Sequence, residues 1–268
     1  MKNLYWLLDT FTNEKFKGNP TPVCIVKDRL SDLTLHSLAK EFNAPVTAFI
    51  EFPATKDIFQ IRYFTITGEI PACGHATLGA AFILLNQMNK EQIVFKTIEN
   101  IQLKARKEND LVFIEYPRFE KIKFDLPEAL MRALSIKSIE TYFYCSELQS
   151  LFIELKDENQ VKNVQPDYSQ LVKSSNEIKE VVVMSVSQNP SFDFVLRSFC
   201  PWIGIDEDPV TGSIHSVLAH YWKERLNKNK LRVYQASERG GQLFVNALED
   251  KVEIGGYSKI IIEGQLKI

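Results

Sequence analysis

The sequence predicts a protein of two similar domains, each made mostly of short strands with a buried helix. Three observations carry that expectation. The chain has 268 residues, enough for two domains of roughly 100 to 150 residues that bury cores without disulfides or metals. Its apolar segments are short and rich in β-formers. One strand, loop and helix pattern occurs twice, about half a chain apart. Hydrophobic residues make up 45% and charged residues 25%, which excludes disordered, collagenous and low-complexity classes. Lys and Arg number 32 against 34 Asp and Glu, a net charge of -2, so no broad basic field is available for nucleic acid.

In the first half, residues 4–9 and 21–26 read as strands separated by the turn-forming stretch FTNEKFKGNP. Ser31 or Asp32 caps a helix with Leu35, Leu38, Ala39 and Phe42 at helical spacing, and Pro45 ends it near Asn43. Strands follow at 47–51 and 59–64. Residues 70–88 then read as a loop feeding a helix that is apolar almost all round and therefore buried. Strands at 92–97, 101–106 and 111–116 lead to a boundary at Pro117.

In the second half, helices are expected at 127–134 and near 168–174, with strands at 141–145, 151–155 and 181–185. A strand at 194–199, a loop at 201–212 and a helix at 213–226 repeat the earlier pattern; Val217, Leu218, Tyr221, Trp222 and Leu226 form the helix's apolar side. Strands at 231–235, 242–246, 251–254 and 260–263 finish the chain, the last being a candidate to return to the first domain. The domains are then 1–116 plus about 256–268, and 117–255.

The apolar run at 4–8 is broken by Asp9, too short for a signal-peptide core, and the longest apolar stretch, 78–85, falls well short of the roughly 20 residues of a membrane span. A cytoplasmic protein without a membrane partner is expected. Cys24, Cys73, Cys145 and Cys200 form no C-x-x-C pair, so they read as reduced thiols with no structural metal.

The repeat aligns RYFTITGEIPACGHATLGAA, residues 62–81, with RSFCPWIGIDEDPVTGSIHSVLA, residues 197–219, setting Cys73-Gly74-His75 against Thr211-Gly212-Ser213. A helix start offers unpaired N–H groups and partial positive charge. Two such starts facing one cleft would hold a small carboxylate and stabilise negative charge formed by proton abstraction. The plainer reading is that each Gly ends a loop and Ser213 caps its helix. Cys73, His75, Glu69, Glu207 and Asp208 are the titratable candidates, with His75 and Asp208 the favoured proton-transfer pair; a neighbouring carboxylate would raise the imidazole pKa. Cys73 suits an acid/base thiol or a small buried hydrophobe. His36 lacks a comparable setting, and His215 and His220 are expected to serve packing or surface.

With these residues in hand, the sequence resembles the PhzF-like family of phenazine biosynthesis, relatives of diaminopimelate epimerase and proline racemase. The resemblance runs through four blocks: DTFTNEKFKGNPTPVCIV at 9–26, IRYFTITGEIPACGHATLGAA at 61–81, RSFCPWIGIDEDPVTGSIHSVLAHY at 197–221 and QASERGGQL at 235–243. It implies an α+β, diaminopimelate-epimerase-like fold of two pseudo-symmetric domains, each a curved sheet or barrel around a central helix, with the active site between them. It also implies a cofactor-independent isomerase, commonly a homodimer, acting on a small carboxylate-bearing substrate. Matched residue by residue, His75 and Asp208 take the catalytic places; Asn19, Gly74, Gly212 and Ser213 take substrate-binding ones. Cys73 stands at one superfamily cysteine position but Thr211 at the other, which disfavours a two-thiol racemase.

One position departs from the pattern. Where the family reads N-x-S-E-T-A-F, this chain has NAPVTAF at 43–49, with Val46 in the place of the general-base glutamate. Glu51, five residues on, falls on the opposite face of a regular strand. Three functions stay open: an isomerase working through Asp208 and His75, a carboxylate-binding relative that has lost its base, and a thiol hydrolase using Cys73 and His75.

Overall fold

The computed structural model describes residues 3–51 and 58–268. It divides into two compact units, Met1–Tyr116 with Glu253–Ile268, and Pro117–Val252.

In the first unit, β1 (Leu4–Thr10) pairs antiparallel with β2 (Asn19–Val26). The helix α1 (Asp32–Phe42) follows, started by Ser31, whose hydroxyl accepts the Thr34 N–H, and ended by Asn43 in the left-handed region at φ 49°. β3 (Thr47–Glu51) runs parallel to β2, and β4 (Ile58–Phe64) antiparallel to β3. The two-residue β5 (Glu69–Ile70) folds back on β4 and delivers the chain to α2 (Gly74–Met88). β6 (Gln92–Lys96) returns parallel to β4, and β7 (Gln102–Glu108) and β8 (Leu111–Pro117) extend the sheet antiparallel.

In the second unit, α3 (Glu128–Ala133) precedes β9 (Thr141–Cys145), which pairs antiparallel with β10 (Ser150–Glu154). After α4 (Glu158–Asn163) and α5 (Tyr168–Lys173), β11 (Glu180–Val186) runs parallel to β10, and β12 (Phe194–Cys200) antiparallel to β11. The short β13 (Ile205–Glu207) folds back on β12, and α6 (His215–Leu226) follows. β14 (Lys230–Gln235) returns parallel to β12, with β15 (Gly241–Ala247) antiparallel beside it. β16 (Lys251–Gly256) then carries the chain back to the first unit, where β17 (Ser258–Gln265) pairs antiparallel with β1.

The pairing senses along β1-β2-β3-β4-β6-β7 and along β9-β10-β11-β12-β14-β15 are the same, so the duplicated motif of the sequence is a duplicated topology. The repeat extends to side chains. Arg62 grips Glu69 with two hydrogen bonds of 2.8 and 2.7 Å and lies over the Phe64 ring. Arg197 grips Glu207 at 2.7 and 2.8 Å and lies over Phe199. Each fork holds the hairpin that feeds the following helix, a planar geometry that lysine does not supply. α2 is buried on nearly every face and packs against β1, β2, β3, β6, β7 and β17, as its all-round apolarity requires. In α6 the stretch from His215 to Trp222 is buried, and Trp222 stacks on Phe194.

Four features differ from the sequence reading. The sequence reading assigns no element at α4: ENQVKN is short and polar, and its signal is the cap, Asp157, which accepts the Gln160 N–H at 2.9 Å. β5 is a two-residue strand in the expected loop. The expected loop at 201–212 holds a 3₁₀ turn at Pro201–Ile203 and β13. Finally, α6 starts at His215, so Ser213 does not cap it. Residues 212–214 form a tighter turn in which the His215 and Ser216 N–H groups bond the Gly212 and Ser213 carbonyls.

Candidate functional site

In the first unit the site begins with the β1–β2 turn. Asp9 accepts the Phe16 N–H at 2.6 Å, and the Thr10 and Thr21 hydroxyls both donate to the Asn19 carbonyl, at 3.1 and 3.0 Å. Asn19 is thereby fixed at the head of β2, fully buried. Gly18 makes the turn possible: its φ is +66°, and a Cβ there would lie 2.1 Å from the Thr10 carbonyl oxygen. Gly18→Ala is expected to lower stability by roughly 2 to 4 kcal/mol, read as a lower unfolding midpoint in urea. An unchanged midpoint would show that the turn has another way to close.

His75 lies in the first turn of α2 and is 6% exposed. The Asn19 amide nitrogen is 3.2 Å from its Nδ1. An amide nitrogen can only donate, so Nδ1 accepts and the neutral ring carries its proton on Nε2. Burial lowers the pKa of His75 to about 4. The expectation of a carboxylate-raised imidazole is thus corrected: desolvation dominates, and an amide orients the ring. His75 is a neutral hydrogen-bond donor at ordinary pH. Cys73 Sγ lies 3.5 and 3.6 Å from the two ring nitrogens, and such equal distances place the sulfur over the ring rather than in line with either nitrogen.

Cys73 caps α2 without a side-chain hydrogen bond, so the Gly74, His75 and Ala76 N–H groups are those that lack a carbonyl partner within the helix. Their orientation is fixed from behind. The Thr77 hydroxyl donates to the Cys73 carbonyl at 2.6 Å and lies 2.6 Å from the buried Tyr63 hydroxyl, which must be its donor because Thr77's single proton is committed. With that carbonyl clamped, the Gly74 N–H in the same planar peptide points the opposite way.

The second unit uses different side chains at the corresponding place. The His215 Nδ1–H donates to the Gly212 carbonyl at 3.1 Å, so His215 clamps the peptide that carries the Ser213 N–H, one position beyond the peptide that Thr77 clamps in the other repeat. Burial lowers its pKa to about 4, keeping it neutral. Upstream, the Asp208 N–H donates to the Ser198 carbonyl at 3.0 Å, and the Thr211 hydroxyl donates to Asp208 Oδ2 at 2.7 Å. Gln235, fully buried at the end of β14, accepts the Thr211 N–H at 2.8 Å and donates to the Asp208 carbonyl at 2.7 Å. Ser237 donates to the Pro209 carbonyl at 2.7 Å.

Of the residues expected from sequence, Asn19, Cys73, Gly74 and His75 come together in the first unit, and Asp208, Thr211, Gly212 and Ser213 in the second. Glu69 and Glu207 are instead gripped by Arg62 and Arg197. Val46 sits just before β3 and is 5% exposed. Tyr63, Thr77, His215 and Gln235 were not singled out. Gln235 and Ser237 had a signal, two polar residues at strand spacing at the head of QASERGGQL; His215 reads from sequence as any helical histidine.

A strand-wrapped helix entered through a glycine turn, duplicated with a histidine beside one copy and an aspartate beside the other, defines an α+β protein of the epimerase and racemase fold. That fold is shared with a probable proline racemase from Agrobacterium radiobacter K84, at a TM-score of 0.62, 10% identity, and coverage of 99% of this chain and 93% of that one. The chain belongs to the phenazine biosynthesis-like protein family, PhzC-PhzF, whose model matches residues 8–264. It is 35% identical to an uncharacterised isomerase of Halalkalibacterium halodurans over 97% of both chains. The crystal structure of a PhzF-family protein from Enterococcus faecalis matches it with a TM-score of 0.90 and 34% identity over 100% of both. No helix among the described residues is long and apolar enough to cross a membrane.

Proposed function

We propose that this protein is an isomerase or epimerase that relocates a proton on a small carboxylic acid without a cofactor. The observation that carries the reading is the pair of repeat-related turns whose carbonyls are clamped from behind by Thr77 and His215. Clamped in this way, the amides of the Gly74 and Gly212 turns hold their dipoles in place before substrate arrives, which suits charge that grows during proton abstraction. Asp208 takes the proton from carbon and returns it at a second position. Neutral His75 donates a hydrogen bond from Nε2, stabilising the developing enediolate without itself ionising. Asn19, Gly74, Gly212 and Ser213 hold the carboxylate, and Cys73 flanks the ring as an acid/base thiol. In this reading the protein works in the cytoplasm as a homodimer.

Val46 favours a second reading, a carboxylate-binding relative of impaired activity, because a buried apolar side chain stands where the family's glutamate is expected. The substitution Val46→Glu separates the two. At a site this enclosed a carboxyl has its pKa raised toward neutrality, as a general base needs. If the surrounding site is intact, Val46→Glu raises deuterium incorporation into a bound acid by about 100-fold or more. A binding relative takes up carboxylates but not the matching carboxamides in calorimetry, and shows no exchange until the glutamate is restored, whereas the isomerase exchanges already with Val46 in place.

A further inference from the structure

We infer that Gln235 and Thr211 act as a positioning relay that commits Asp208 Oδ2 as a hydrogen-bond acceptor and so favours the ionised carboxylate. The inference deepens the proposed function and rests on Asp208 being the group that moves the proton.

The direction of every bond in the relay follows from what each atom is able to do. Gln235 is fully buried, and its amide orientation is set by its partners: Oε1 faces the Thr211 N–H at 2.8 Å, a pure donor, and Nε2 faces the Asp208 carbonyl at 2.7 Å, a pure acceptor. Nε2 also lies 3.2 Å from Thr211 Oγ1. Since Nε2 only donates, the Thr211 hydroxyl accepts there and has one proton left to give, and that proton goes to Asp208 Oδ2 at 2.7 Å. A protonated Oδ2 would set two hydrogens against each other across this bond. The relay therefore favours the ionised carboxylate.

The relay also gives Thr211 a role. It occupies the repeat position of Cys73, yet its hydroxyl serves as an orienting donor rather than as an acid. In the first unit the corresponding strand position after the helix is Thr97, which is buried and accepts the Ile101 N–H. The relay is thus peculiar to the half that carries the aspartate. Other ionisable groups near the loop are Cys200 of β12, Glu180 of β11, and Asp206 and Glu207 of β13. Burial holds the Cys200 thiol far above its usual range, Glu180 is raised by burial against hydrogen bonds from Ser198 and Ser150, and Arg197 neutralises Glu207.

The test follows the carboxyl carbon of Asp208 by NMR in the full-length protein, ¹³C-labelled at aspartate and assigned with Asp208→Asn, through a pH titration without substrate. Loss of a donor to the ionised form is expected to move the titration midpoint up by about one pH unit in Thr211→Val. Thr211→Ser, which keeps the hydroxyl, should titrate like the unaltered protein, and Gln235→Leu should shift in the same direction as Thr211→Val. Midpoints that coincide in Thr211→Val and the unaltered protein would overturn the relay, as would equal shifts in Thr211→Val and Thr211→Ser. Because this titration needs no substrate, a complete lack of carbon exchange would count against the isomerase reading alone.

Discussion

Asp208→Asn is expected to lower the rate of carbon deuteration by about 100- to 10,000-fold while leaving the fold and carboxylate binding in place. Asparagine has the shape of aspartate and keeps a carbonyl oxygen able to accept the Thr211 hydroxyl, which now lies 2.7 Å from Oδ2. What it loses is the capacity to take a proton. The contrasting change is His75→Gln. Its amide oxygen can accept from Asn19, as Nδ1 does at 3.2 Å, and its amide nitrogen can still donate. A milder loss, of about tenfold, is expected there, because the ring donates a hydrogen bond rather than shuttling a proton. Equal and large losses in both variants, measured as exchange rates at saturating ligand, would instead make His75 a proton carrier.

Stability is expected to fall steeply as pH drops from about 6.5 toward 4, before the carboxylates begin to titrate in force. Burial lowers both His75 and His215 from 6.5 to about 4. Above 6.5 neither state binds the proton and the two histidines contribute no pH slope. Below it the unfolded chain takes up protons that the folded chain refuses, so folding weakens until the folded pKa is reached. Shifts of this size correspond to roughly 3 kcal/mol for each histidine. Urea unfolding at pH 7.5, 6.0, 5.0 and 4.5 measures the slope directly. His215→Asn, which retains a donor for the Gly212 carbonyl, should flatten it; the same stability at pH 7.5 and 5.0 in the unaltered protein would contradict the burial of both rings.

Much of the fold was legible because the repeat was legible. Residues 62–81 and 197–219 carry the same succession of an Arg on a strand, a Glu in a turn, and a Gly before an apolar helix, and each of these has a physical task that constrains its type. The apolar helices and β-branched strands declared themselves by period. Polar segments of one or two turns did not: α4 is held by its Asp157 cap and by packing against β11 and β12, neither of which leaves an apolar period. At the candidate site, the loop residues were legible from their chemistry and from the family blocks. The residues that orient them were not: Thr77 and His215 bond carbonyls only one turn back, as any helical Thr or His can, while Tyr63 meets the Thr77 hydroxyl and Gln235 the Asp208 carbonyl from other elements, and none of these bonds leaves a period in the sequence. The pKa of His75 was misjudged for a related reason: sequence showed the acidic residues of the loops but not the desolvation around the ring.

Proton transfer on a small carboxylic acid is tested most directly by deuterium wash-in. The purified protein is incubated in D2O with a panel of small unsaturated and amino carboxylic acids, and exchange at carbon is followed by NMR. The structure's oriented aspartate and clamped amide turns lead to the expectation that at least one acid acquires deuterium in the presence of the protein and retains its protons with Asp208→Asn. Acids that bind tightly yet keep every carbon-bound proton, in the unaltered protein and in Val46→Glu alike, would contradict it.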